Sequence, residues 1–157
     1  MKNKLLKHIL LYIFICNISF AEQYRFETSE IEIINEGNVI YAKNGKAVST
    51  DGNLEIIAEK FEFVKDLDIL NAFNGVAFFK PDNLKIEFNE IKLDQLNSIT
   101  SAKDKIKITD LTKKISIETS SVTFDRKKKI LESQSQSVLK DNQNNIINTK
   151  SFIYNIK

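Results

Sequence analysis

Residues 37 to 63 read GNVIYAKNGKAVSTDGNLEIIAEKFEF. Apolar side chains recur at alternate positions with charged or hydroxyl residues between them, the period of a strand that buries one face. The runs are punctuated by Asn44-Gly45 and Asp51-Gly52, pairs that accept a left-handed backbone at little cost and therefore suggest turns. One such stretch predicts a hairpin. Its recurrence predicts a fold.

Aligned on their first apolar pair, LEIIAEKFEF begins at Leu54, LKIEFNEIKL at Leu84, ISIETSSVTF at Ile115 and IINTKSFIY at Ile146, spacings of 30, 31 and 31 residues. Each segment closes on a second pair: Phe61/Phe63, Ile91/Leu93, Val122/Phe124 and Phe152/Tyr154. A further strand carrying Ile69, Ile99 or Ile130 is expected later in each unit, followed by one carrying Val76, Ile106 or Val138. Self-similarity of this length marks stacked supersecondary units.

Within the unit, Ile56 and Phe61, Ile86 and Ile91, and Ile117 and Val122 are each five residues apart. An odd separation puts two residues of a flat strand on opposite faces, so a bulge or corner is expected at Ala58-Glu59-Lys60, Asn89-Glu90 and Ser120-Ser121. Repeated corners fold a sheet back over itself. The expected architecture is all-β: an elongated, twisted antiparallel sheet, V-shaped or sandwich-like, built from ~30-residue repeats. Greek-key packing is the alternative, because periodicity does not specify which strands pair.

Turns are expected at NEGN (35–38), KNGK (43–46), TDGN (50–53), PDN (81–83, with Pro81, the only proline) and DNQNN (141–145). No window keeps apolar residues at helical spacing over three turns; Glu59 to Leu70 is the one place a short helix could hide.

The first 21 residues stand apart. Lys2, Lys4 and Lys7 precede the apolar run Ile9 to Cys16, and Ser19-Phe20-Ala21 places small residues where a signal peptidase reads them. A signal peptide over 1–21 is expected, leaving one domain over 22–157. The apolar run is shorter than the roughly 20 residues that span a bilayer, so a retained anchor is the weaker alternative. Ile15 before Cys16 argues against lipoprotein acylation.

Cleavage there removes the only Cys and the only His. The domain then has no disulfide, thiol nucleophile or imidazole, and a disulfide-free secreted domain suits the bacterial periplasm. Of 23 basic residues three precede residue 22, and none of the 21 acidic ones does, which leaves a charge near −1 and no footprint for nucleic acid. Asp66/Asp68 and Asp82/Glu87 lack the clustering of a metal site. Ser120-Ser121 has no base to activate it, no motif supports a carboxylate pair, and no nucleotide-binding motif is present. The expectation is a binding protein without enzymatic activity or cofactor. The basic run Asp125-Arg126-Lys127-Lys128-Lys129 reads as a solvated hairpin tip, with lipid phosphates as a second possibility.

Gly37-Asn38-Val39, followed by a turn and an alternating strand ending Ala58-Glu59-Lys60-Phe61-Glu62-Phe63, resembles the OstA-like family of periplasmic lipopolysaccharide-transport proteins, which includes LptA and the N-terminal domain of LptD. The family phrase has Asp where Glu59 stands. A second copy runs from Gly75-Val76, one residue short of the phrase, to Asn89-Glu90-Ile91-Lys92-Leu93-Asp94. The resemblance spans roughly residues 28 to 155. It implies a β-jellyroll whose groove holds the acyl chains of lipopolysaccharide, and edge-to-edge strand addition between jellyrolls into a bridge across the periplasm. Exposing a multi-acyl lipid to water costs roughly 25 cal/mol per Å² of apolar surface, so such a carrier needs a dry interior.

On that resemblance the groove is expected to be lined by Phe61, Phe63, Phe78, Phe88, Ile91, Leu93, Ile106, Ile108, Val122 and Phe124. Ordinary core is the alternative for each. Phenylalanines concentrated in a sheet with no helix over them must in any case meet something apolar. The strand carrying Phe152 and Tyr154 is expected to offer an edge for pairing with a second copy or another jellyroll. Two further alternatives stand: the first part of a longer outer-membrane assembly protein, and a structural β-repeat protein that polymerises through its edges.

Overall fold

A computed structural model describes residues 23–156. The expected signal segment lies outside the described residues. The described residues form eleven strands: β1 (Tyr24–Ile34), β2 (Val39–Ser49), β3 (Leu54–Val64), β4 (Ile69–Phe79), β5 (Leu84–Asp94), β6 (Ile99–Asp110), β7 (Ile115–Asp125), β8 (Ile130–Ser133), β9 (Ser137–Lys140), β10 (Ile146–Thr149) and β11 (Phe152–Asn155). They make one antiparallel sheet in which β1 to β7 follow one another as neighbours. β8 and β9 share the far side of β7, and β11 and β10 pair with them in turn. The short helix considered within 59–70 is absent, because those residues belong to β3, a turn and β4.

A crease crosses the middle of every long strand. Pairing runs from Thr28↔Gly45 to Glu30↔Lys43 and from Gly45↔Ala58 to Lys43↔Lys60, skipping Ser29, Asn44 and Glu59. It skips Asn74 and Asn89 in the same way. These residues are spaced by fifteen, one strand plus one turn. The register then shifts at Lys103–Ile106 of β6, where Asp104 and Lys105 both adopt left-handed φ, 59° and 48°. That bulged extra residue makes the second spacing 31 rather than 30. In the last repeat the crease becomes a complete break, between β8 and β9 and between β10 and β11. There Thr119, Ser133 and Ser137 are buried, and their hydroxyls bond one another in place of ladder hydrogen bonds.

Asn44-Gly45, expected as a turn, is therefore interior to β2, and Asn74-Gly75 repeats it in β4. Asn44 and Asn74 supply left-handed φ, 50° and 52°. A Cβ on Gly45 would stand 2.1 Å from the Glu27 carbonyl oxygen, and one on Gly75 2.2 Å from that of Ile57. The pair bends the strand and lets its neighbour approach. The other four expected turns are turns. The expected division of each unit into a strand with Ile69 or Ile99 and a next with Val76 or Ile106 is corrected: each pair sits on one creased strand, β4 or β6.

The crease divides the sheet into two half-sheets that face each other. Each buries the set of side chains that the odd phase shift selects.

Candidate functional site

The inner faces carry continuous rows. In the first half-sheet, strand pairing aligns Phe26, Ala47, Ile56, Ala77, Ile86, Ile108, Ile117, Leu139 and Ile147. In the second, Ile33, Ile40, Phe63, Leu70, Leu93, Thr100, Phe124, Leu131 and Tyr154 follow one another, beside a row through Phe61, Ile91 and Val122. Nine of the ten residues expected to line the groove point inward and are buried: Phe61, Phe63, Phe88, Ile91, Leu93, Ile106, Ile108, Val122 and Phe124.

Phe78 is the exception. It is half-buried on the outer face, opposite Glu55 and Lys85, and Phe79 takes the interior place. The phase of β4 is set by buried Ala72 and Ala77, five residues apart like Ala42 and Ala47 in β2. Those alanines were the signal for the even-numbered strands, and with them Phe79, Tyr24 and Phe26 join the inner set.

The inner residues meet one another. Phe79 and Phe124 stack edge to face across the fold at 5.2 Å, Tyr24 and Phe63 likewise at 5.2 Å, and Phe26 and Phe61 at 5.8 Å. The nine residues are no more than 4 % exposed. Their side chains therefore pack against one another rather than around an open channel. The apolar partner expected for the phenylalanines is thus the opposing half-sheet, and each buried side chain contributes roughly 1.5–3 kcal/mol to holding the halves together.

Opposite the crease lies a mouth, where the strand ends of the two halves meet. Polar ties cross it. Gln23 Nε2 donates to Asp68 Oδ2 (2.6 Å), Gln95 Nε2 donates to the Tyr24 hydroxyl, Lys129 Nζ pairs with Asp82 at 2.8 Å, and the Tyr154 hydroxyl donates to Asp110 Oδ2 at 2.7 Å. Lys113 Nζ donates to the Asn155 carbonyl at 2.9 Å and lies over the Tyr154 ring. The basic run does form a hairpin tip, with two members turned to the mouth: Lys129, and Arg126, which donates to the Asp94 carbonyl at 2.9 Å. Burial pushes the Tyr24 hydroxyl well above the usual phenol range, raises the Asp68 carboxyl, and lowers Arg126. Burial, reinforced by the bond to Asp110, pushes Tyr154 up as well. Asp68 Oδ1 and Arg126 Nε are buried without a hydrogen-bond partner.

The ties also reveal that the halves are offset. Tyr24 of β1 lies opposite the β5–β6 turn, the β4–β5 turn opposite the β7–β8 turn, and the end of β6 opposite β11. The crease-to-turn part of β1 in one half and β10 in the other therefore overhang at opposite corners. Ile31 and Ile33 are 55 % and 56 % exposed there, and Ile147 61 %. The outer sides of β1, β10 and β11 carry no ladder partner among the described residues. Of the two residues expected at the pairing edge, Phe152 packs into the core and Tyr154 reaches across the mouth, so strand β11 is an edge through its backbone rather than through these side chains. Among the described residues no three His, Cys, Asp or Glu are grouped to hold a metal ion, and no helix is long and apolar enough to cross a membrane.

No family model matches the sequence, and no curated protein does. Among solved structures, the chain is similar to LptH, the LptA-homologous periplasmic component of the lipopolysaccharide transport device of Pseudomonas aeruginosa, with a TM-score of 0.62 and 13 % sequence identity. The match covers 80 % of this chain and 93 % of LptH. The expected fold class is the observed one: an all-β, open antiparallel sheet folded on itself, of the kind LptH has.

Proposed function

We propose that this chain is a non-enzymatic periplasmic protein that binds lipopolysaccharide, shields its acyl chains between the two half-sheets, and joins other jellyrolls, or copies of itself, through its open edges. One observation carries the proposal: apolar rows cross the whole inner face and run past the cover of the opposite half at both corners, ending on exposed Ile31, Ile33 and Ile147. A self-contained core has no reason to continue into water at both ends, whereas an interior shared between consecutive jellyrolls does. The likeness in fold to LptH supports the same reading.

The test is capture. Protein purified without detergent should carry lipopolysaccharide detectable by mass spectrometry, and delipidated protein should gain stability on adding it, about 2.7 kcal/mol at a hundredfold excess over Kd. A second reading, a structural β-repeat protein polymerising through its edges, is favoured by the close packing of the inner side chains against one another. Delipidated protein that polymerises yet gains no stability from lipopolysaccharide would establish that reading instead.

A further inference from the structure

The interior that is proposed to hold acyl chains is filled by the protein's own side chains, so the chain must open before it can load. We propose that the mouth is a latch: the ties Asp82–Lys129, Asp110–Tyr154 and Tyr24–Gln95 hold the two half-sheets closed, the crease is the hinge, and an amphiphile's acyl chains enter by parting them. The inference rests on the proposed lipid-binding function for its ligand, but the latch itself is a property of the empty protein.

Three features favour motion at this place. The crease lacks ladder pairs at Ser29, Asn44, Glu59 and Asn74, so a change of angle there sacrifices few backbone hydrogen bonds. The ties are side-chain contacts, and two of them involve turn residues, which move at least cost: Asp82–Lys129 joins two turns, and Gln95 belongs to the β5–β6 turn, while Asp110–Tyr154 joins the ends of β6 and β11. The closed mouth also leaves Asp68 Oδ1 and Arg126 Nε dry and unbonded, and opening returns both to water, which offsets part of the apolar exposure. The ring pairs Phe79–Phe124 and Tyr24–Phe63 are the contacts that entering acyl chains replace, apolar surface for apolar surface. Opening a closed state lowers apparent affinity by the fraction of time spent open, so altering the ties alters capture without touching the interior.

The experiment uses the full chain with Cys16→Ser, which removes its single native thiol. Asp82→Cys/Lys129→Cys is bridged by a short bis-maleimide, and Lys129→Ala/Tyr154→Phe removes two ties. Each is compared by capture of lipopolysaccharide and, without lipid, by fluorescence of 1-anilinonaphthalene-8-sulfonate, after a cooperative melt confirms folding. The expected result is at least a tenfold loss of lipopolysaccharide capture on bridging, and severalfold more dye fluorescence when the ties are cut than when the mouth is bridged. Capture by the bridged protein equal to that of the unbridged one overturns the latch and leaves lipid binding standing. Dye fluorescence that follows the ties while no form captures lipopolysaccharide keeps the latch and overturns the lipid reading. Dye fluorescence indifferent to both changes overturns the latch.

Discussion

The crease and the mouth join the same two half-sheets by different means. At the crease the join is backbone: left-handed Asn44 and Asn74, glycines that admit a neighbouring strand, a bulge in β6. At the mouth it is a set of polar side chains reaching between turns and strand ends. A backbone join tolerates almost no substitution but allows bending; a side-chain join tolerates replacement and can be undone. The contrast teaches that one side of this molecule fixes its geometry and the other sets how firmly it stays shut.

The largest effect is expected where both joins depend on a common interior. Phe124→Ala removes a ring that is fully buried against Phe79, and should destabilise the protein by about 3–5 kcal/mol in denaturant titration. A loss below ~1 kcal/mol would mean the halves do not pack as described. Next comes the crease. Gly75→Ala places a methyl 2.2 Å from the Ile57 carbonyl oxygen and 2.7 Å from Ala58 Cβ, which only a backbone shift can relieve, so a cost of about 1–3 kcal/mol is expected. Gly52→Ala, in an exposed turn with open space around it, meets no such clash, and its cost should reflect only the left-handed φ of 71°.

The mouth should respond more weakly. A double-mutant cycle on Asp82→Ala and Lys129→Ala should give a coupling of about 1 kcal/mol at low salt, falling as salt is added. Coupling as large as the cost of Gly75→Ala would erase the contrast and make the mouth as structural as the crease.

The odd-numbered strands were legible in the sequence because their inner residues are large: Ile56/Phe61, Ile86/Ile91 and Ile117/Val122 reveal both the alternation and the five-residue phase shift. The even-numbered strands hid the same rule behind alanines. Placing Phe78 in the groove reversed the faces of β4, when Ala72 and Ala77 fix them. Asn44-Gly45 misled for a related reason, since a left-handed Asn before Gly serves a hairpin and a mid-strand corner equally well. Only its recurrence at Asn74-Gly75, with polar Glu59 and Asn89 completing a fifteen-residue period, identifies the corner. The ties at the mouth had no local signal at all. Tyr24 and Gln95 are 71 residues apart and Asp110 and Tyr154 44, and their meeting depends on how far one half-sheet is offset from the other.

The smallest effect expected depends on pH. Burial raises the Asp68 carboxyl, and only one of its oxygens has a partner, Gln23. A carboxyl raised on folding favours the folded state when protonated. Its contribution is intact below the unfolded value of about 3.9 and is lost as pH rises through the folded one. Ionised Asp68 is therefore a burden on the closed mouth at neutral pH. Asp68→Asn keeps a carbonyl oxygen for Gln23 and removes the charge, so it should raise stability at pH 7, on the scale of one unmet buried group, about 1 kcal/mol. The difference between variant and wild type should shrink to nothing near pH 3.5, which separates this group from the general acid sensitivity of the fold. If the variant is less stable than wild type at pH 7, the attraction between Asp68 and Arg126 outweighs their desolvation. The mouth would then be held by charge, and the contrast with the crease would be one of chemistry alone, not of strength.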